Sequence, residues 1–418
     1  MDNMQLNNLD NIIISYSDKM LNLLRESIRI ESKSGNEGNF VKFIEQWASE
    51  QKIKSDLFEI ETADIYNFYP TIPKHLPLKG RPVLVLTIPG NGKGKSIIFN
   101  AHSDTVSEGI IEDWDSNPFS GDYRDGIVFG RGACDAKGPL FSALWAMSVL
   151  NEIVPSIDCG DIMLELIPGE EDSVGLGTLG SIKRGYKADA AIIVEPTENI
   201  PRCASRGGLR FSIIAKGRSI HGTVKLDGKD AIKSIRKVLE ALDKLEEKWN
   251  DRNSDDLFEL YPIARPITVD KIYGGEWQGM VCDICRCEGY FELLPEDDIN
   301  IWSNKFSSEL LKMLPDENLD IKFTETYFGH RTLPDGELCR CVESVLNDSR
   351  EILQWKKWSG FNSGCESGVR ASLHKTPTLV WGPGSVRYAH SPNEQIDFKD
   401  IQLCAKLFIE ATLKWVQL

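Results

Sequence analysis

Two short apolar runs set the tightest limits on this fold. PVLVLTI (82–88) and SIIFNAH (96–102) are almost unbroken in Val, Ile, Leu and Phe, and Gly, Pro and Lys bound them. They are short for helices, and neither leaves a face for water. Both therefore read as strands buried on two sides. Such strands belong in a sheet covered by helices. The flanking sequence offers those helices. Ile12, Ile13, Tyr16, Met20, Leu23, Leu24 and Ile28 recur at helical spacing across 10–30, and 39–51 reads as a second helix. A third spans 137–153, with Pro139 near its first turn. DIMLELIP (161–168) and ADAAIIVEP (188–196) read as further strands, with a short helix at 174–185 between them. The alternation predicts an α/β layer structure.

The texture changes after about residue 206. GLRFSIIAKG (208–217) alternates like an antiparallel strand with one wet face. An amphipathic helix at 230–249 follows, then strands at 266–273, 283–294 and 319–325, with a helix at 298–313. Beyond 326 the α/β texture returns, with a strand at 376–384 and a last helix at 398–417. The 418 residues thus divide into a discontinuous α/β domain, 1–206 with 326–418, and an inserted α+β domain, 207–325.

Composition narrows the function classes. A net charge of −15 repels phosphate backbones and argues against a nucleic-acid partner. Met1 to Ser17 has no basic leader and no long apolar run, and no stretch approaches the roughly 18–20 apolar residues of a membrane helix. A cytoplasmic protein with no membrane partner is expected. Ten cysteines without a secretion signal are expected to be reduced. Cys282, Cys285 and Cys287 cluster, but no matching CxxC pair completes a zinc site, so buried strand thiols are the preferred reading.

Five segments carry candidate chemistry. NAHSDTV (100–106) puts His102 and Asp104 just past a strand, two apart and on one side, so the carboxylate can accept the imidazole's second N–H. GRGACDAKGPL (130–140) places Asp135 before a helix, where it can cap the helix or bridge two cations. Lys137 there reads as a helix-start residue. LIPGEEDSVGLGTLG (166–180) holds adjacent Glu170 and Glu171, which repel unless a cation or proton relieves them. One can ligate metal while the other acts as general base. Glu195 ends the IIVEPT strand (192–197), and His390 lies in WGPGSVRYAHSPNEQI (381–396). Each segment alone has an ordinary structural explanation. Together they place carboxylates and imidazoles at strand ends, where open α/β sheets bind ligands. Zn²⁺, Mn²⁺ and Co²⁺ suit such a mixed shell.

Two decoys fall away. PGNGKGKS (89–96) lacks the first glycine of a phosphate loop and runs into a strand, not a helix. Cys134, beside so many carboxylates, is a poor thiolate nucleophile.

In this order and spacing, HSDTV, GRGACDAKGPL, PGEED, VEPT and GPGSVRYAHSPNEQI resemble the M20 metallopeptidase and deacylase family, which includes acetylornithine deacetylase and succinyl-diaminopimelate desuccinylase. The resemblance implies a zinc-peptidase-like catalytic domain with an inserted lid or dimerisation domain. It implies two divalent ions, most simply Zn²⁺, one held by His102, Asp135 and Glu195, the other by Asp135, Glu171 and His390. Glu170 would be the general base, and Asp104 would orient His102. His221, in GRSIHGT (217–223), would stabilise the oxyanion from across a homodimer. The expected activity is hydrolysis of an amide bond in an N-acyl amino acid or related small N-acyl amine. A metal-dependent exopeptidase or dipeptidase is the alternative, and a non-catalytic binding protein on the same fold the alternative from another class. The sequence departs from the family at Gly279, Glu292 and Glu366, where relatives carry Asn, Arg and Asp at substrate-gripping positions. Arg370 and Arg387 are candidate carboxylate anchors.

Overall fold

The computed structural model describes residues 3–60, 79–250, 255–349 and 355–418. In chain order its elements begin α1 (Asn3–Ile28), α2 (Gly38–Glu50), β1 (Lys54–Glu59), β2 (Pro82–Ile88), β3 (Ile97–His102), β4 (Asp122–Arg124), β5 (Ile127–Phe129), α3 (Gly138–Ile153), β6 (Ile162–Ile167), α4 (Leu176–Arg184), β7 (Ala190–Ile193) and β8 (Ala204–Ser205). There follow β9 (Gly207–Lys216), α5 (Ala231–Asn250), β10 (Ile267–Gly274), β11 (Ile284–Leu293), α6 (Ile299–Met313), β12 (Leu319–Tyr327) and β13 (His330–Arg331). The chain closes with α7 (Glu337–Asp348), β14 (Gly360–Phe361), α8 (Ser367–His374), β15 (Thr378–Val380), β16 (Gln395–Asp397) and α9 (Phe398–Val416).

The two apolar runs are strands of one six-stranded sheet, ordered β1-β2-β6-β3-β7-β15. β6, β3, β7 and β15 are mutually parallel; β2 joins β6 antiparallel, and β1 pairs antiparallel with β2 at the sheet's end. Helices α1, α3 and α9 pack together on one face, and α4 and α8 lie over the other. That two-sided cover is why β2, β3 and β6 are buried almost throughout. The parallel run has a direct consequence. The segments leaving β3, β6, β7 and β15 all emerge at the same edge of the sheet, and these are the segments that carry His102, Glu170, Glu171, Glu195 and His390.

A second sheet, β10-β11-β9-β12, is antiparallel throughout. One face packs Leu209, Phe211, Ile213, Cys285, Cys287, Phe291 and Leu293 against α5 and α6, forming a core of its own. The opposite face is less open than a wet strand face. Arg210, Thr268, Tyr290 and Glu292 on that side turn toward a cleft.

Several expectations need correction. The strand at 376–384 is only Thr378–Val380, because Pro383 and Gly384, at φ +83°, turn the chain away. The strand β1, the hairpin β4–β5 and the helices α7 and α8 are additional to the sequence reading. Lys137 does more than begin a helix. Its buried ammonium donates to the carbonyls of Ser27 (2.8 Å) and Ile30 (2.7 Å) and lies over the Phe40 ring, tying α1 to α3. Burial pushes its pKa down to about 7. Cys282, Cys285 and Cys287 are buried free thiols, and no described cysteine belongs to a metal-ligating group.

Candidate metal centre

His102 is the last residue of β3, and its ring is fixed from behind. Nδ1 lies 2.9 Å from the backbone carbonyl of Asp104, so Nδ1 carries the proton and donates. The Asp104 carboxylate stands further off, 3.7 Å from the same nitrogen. Nε2 then faces Asp135, with Oδ1 at 3.0 Å. His102, Asp135 and Glu195 form one convergent group, and Asp135, Glu171 and His390 a second. In each group, ligand atoms lie within 4.8 Å of one another. His390 Nε2 reaches Glu171 at 3.1 Å and Asp135 at 3.4 Å. Asp135 belongs to both groups and offers a different oxygen to each imidazole. His102 also clusters with Glu170 and Glu171.

Four carboxylates share this space, and against burial the hydrogen bonds to Asp104 and Asp135 hold the His102 pKa well above its ordinary value. The arrangement is repulsive unless positive charge sits among them. Burial, and then the charge of neighbouring carboxylates, drives Glu170 well above its ordinary pKa, and burial pushes Glu195 up to about 8. His390 is pushed up to about 11 by its hydrogen bonds to Asp135 and Glu171. These residues fit a pair of divalent cations, which would replace repulsion by coordination in a mixed imidazole and carboxylate shell.

The shell is held mainly by backbone amides. The fully buried Asp104 carboxylate accepts from the amides of Gly169 (2.9 Å), Glu170 (3.1 Å) and Glu171 (3.1 Å), and from the Ser34 hydroxyl (2.7 Å). It is therefore a bracket for the Glu170–Glu171 loop. Glu394 does the same for Asp135. It accepts from the amides of Gly132, Cys134 and Asp135 and from Arg131 at 2.6 Å. Buried Arg81 extends the support, joining Glu37 (2.7 Å) to Asp172 (3.0 Å). Sequence reasoning missed Glu394, Glu37 and Arg81. Glu394 lay inside the quoted HSPNEQI segment, and no local pattern marks a carboxylate as a bracket.

The centre forms the floor of a cleft of about 630 Å³. Its wall comes from the second sheet and nearby loops: Arg206, Arg210, Thr268, Tyr290, Glu292 and Tyr327. Of the atypical positions, Glu292 lines this cleft. Glu366 does not; it is buried and accepts from the Gly175 amide at 2.7 Å, at the start of α4. Arg370 is buried against Glu165 and the carbonyl of Tyr186, which removes it as a substrate anchor. Arg387 is exposed and lies outside the lining. His221 is exposed on the inserted sheet's loop, paired with Met280 beside Gly279, and this chain does not bring it to its own cleft.

The profile of Peptidase family M20/M25/M40 matches residues 98–414. The chain is similar to acetylornithine deacetylase of Pectobacterium carotovorum, 28% identical over 319 residues that cover 75% of this chain and 78% of the relative. It is similar to the N-formyl-4-amino-5-aminomethyl-2-methylpyrimidine deformylase of Bacillus subtilis, 24% identical over 349 residues, covering 77% of this chain and 79% of the relative. In fold it resembles human carnosine dipeptidase 1, with a TM-score of 0.76 at 16% identity, covering 99% of this chain and 100% of that one.

Proposed function

The chain belongs to Peptidase family M20/M25/M40, and from that premise we propose that it hydrolyses the amide bond of a small N-acylated amine. The observation that carries this reading is the pair of ligand groups sharing Asp135, with Glu170 beside them on the cleft floor. His102, Asp135 and Glu195 would hold one ion, and Asp135, Glu171 and His390 the other. Zn²⁺ suits the donor set best, with Co²⁺ and Mn²⁺ as alternatives. Bound there, such ions supply Lewis acidity and lower the pKa of water.

Glu170 serves as the general base. Its carboxyl is half-buried and flanked by Glu195, and the two together hold its pKa above the ordinary value, so it can take a proton and pass it to the leaving amine. Asp104 fixes the loop that aims Glu170. His221 completes the site from a second copy of the chain. The Thr223 amide donates to its Nδ1 at 3.3 Å, which leaves Nε2 as an outward N–H donor suited to a developing oxyanion. A homodimer follows from that role, as does division of the chain into a catalytic body (1–206 with 326–418) and a lid (207–325). No described helix is long and apolar enough to cross a membrane, and a cytoplasmic site of action is part of the proposal.

The likeness to a dipeptidase fold favours dipeptide cleavage as the second reading. The test is a panel of N-formyl, N-acetyl and N-succinyl amino acids run beside dipeptides. The protein is stripped by chelator and reloaded with Zn²⁺, Co²⁺ or Mn²⁺. We expect turnover of at least one acyl-amine class, lost on chelation and restored on reloading. Cleavage confined to dipeptides would establish the second reading, and turnover that survives full metal removal would overturn both.

A further inference from the structure

One buried carboxylate on the cleft wall has an uncommitted oxygen. Glu292 lies near the end of β11, with Gly208 of β9 opposite it and Tyr327 of β12 opposite Gly208 in turn. Gly208 has no room for a side chain, since a Cβ there would stand 2.5 Å from the Tyr327 hydroxyl. That gap lets Tyr327 reach across the strand and donate to Glu292 Oε1 at 2.9 Å. The second oxygen, Oε2, is shielded from water as the side chain stands and has no hydrogen-bond partner among the described residues, although the Gly364 amide and the Arg206 and Arg210 charges act on the carboxylate as a whole. An acceptor left empty in this way is destabilising. The neighbouring guanidinium groups favour the charged carboxylate but direct their hydrogen bonds elsewhere. Arg206 donates to the carbonyls of Asn362 (2.8 Å) and Ile263 (2.7 Å), and Arg210 pairs with Glu325 at 3.0 Å.

We propose that Glu292 is a specificity-determining residue whose Oε2 receives an ammonium group of the substrate, away from the bond that is cut. The partner of a buried carboxylate that gains most from a hydrogen bond is a charged N–H donor, and a substrate carboxylate would meet like charge at this point. Tyr327 positions the carboxylate, and Gly208 makes that contact possible. The inference rests on the amide-hydrolase reading for the word substrate, and its test reads binding alone.

The metal-loaded full chain is titrated calorimetrically with two matched pairs, L-ornithine against L-norvaline and 5-aminopentanoate against pentanoate. The wild type is expected to bind the amino-bearing member of at least one pair about tenfold more tightly, as a charge-assisted hydrogen bond predicts. Glu292→Gln should bring that ratio to about one. A preference unchanged in Glu292→Gln, or a wild type without preference, overturns the proposal. If Glu292→Gln does not fold, Tyr327→Phe reads the same contact. It should lower the preference at least about threefold, the worth of one neutral hydrogen bond, and an unchanged ratio counts against the proposal. Amino preference without turnover of any acyl amine or dipeptide would fail the hydrolase reading and leave this one standing.

Discussion

The floor and the wall of the cleft are built on different principles. On the floor, Asp104 and Glu394 each collect three backbone amides, so the ligand loops are locked through main chain. On the wall, side chains hold side chains across strands: Tyr327 on Glu292 and Arg210 on Glu325. A main-chain lock cannot be exchanged for another pair, because its amides remain donors whatever side chain is attached and so always demand the same acceptor. A side-chain pair can be exchanged for another pair. The floor is suited to constant chemistry and the wall to variable recognition.

Three substitutions test the contrast between floor and wall. Glu170→Gln removes the base but none of the amide brackets. It should lower kcat about 10³-fold with metal content near two ions per chain, since general bases contribute roughly 10²–10⁴-fold. Single-turnover kinetics and metal analysis together would check it, and retained turnover would remove Glu170 from its role. Asp104→Ala frees three amides at once. We expect about 2–4 kcal/mol less stability in urea unfolding and metal affinity about 10–100-fold weaker, the usual cost of losing such support. Unaltered stability would show that the loop holds itself. Tyr290→Phe tests the wall. It should raise KM about threefold and leave kcat unchanged, the worth of one neutral hydrogen bond. A loss of stability or metal affinity as large as that of Asp104→Ala would erase the distinction.

The floor was legible in the sequence for the same reason that it is rigid. His102, Asp135, Glu195 and His390 follow apolar strands or glycine-rich turns, and those turns leave strong local signals. The parallel order of β3, β6, β7 and β15 then collects His102, Glu195 and His390 at one edge, and Asp135 comes in from the turn after β5. The brackets were less legible. Asp104 was noticed for its spacing from His102, yet the amides its carboxylate holds lie 65 to 67 residues away in sequence. Glu394 lies about 260 residues from Asp135. Arg370 reads as an anchor in the sequence because it stands about two positions from the place where relatives grip the substrate. Its partner Glu165 sits mid-strand in an otherwise apolar run, and pairing two such distant charges requires the fold. The wall residues read as the polar face of an amphipathic strand. Alternation gave their face correctly but could not tell water from a cleft.

β11 holds a consequence that concerns descent more than chemistry. Its odd positions, Cys285, Cys287, Phe291 and Leu293, fill the inserted unit's own core, while Tyr290 and Glu292 face the cleft. Adjacent codons therefore answer to different selection, one for keeping the unit folded and the next for what it accepts. A lineage could drift to a new diet by changing alternate residues of a single strand, with neither the core nor the catalytic floor disturbed.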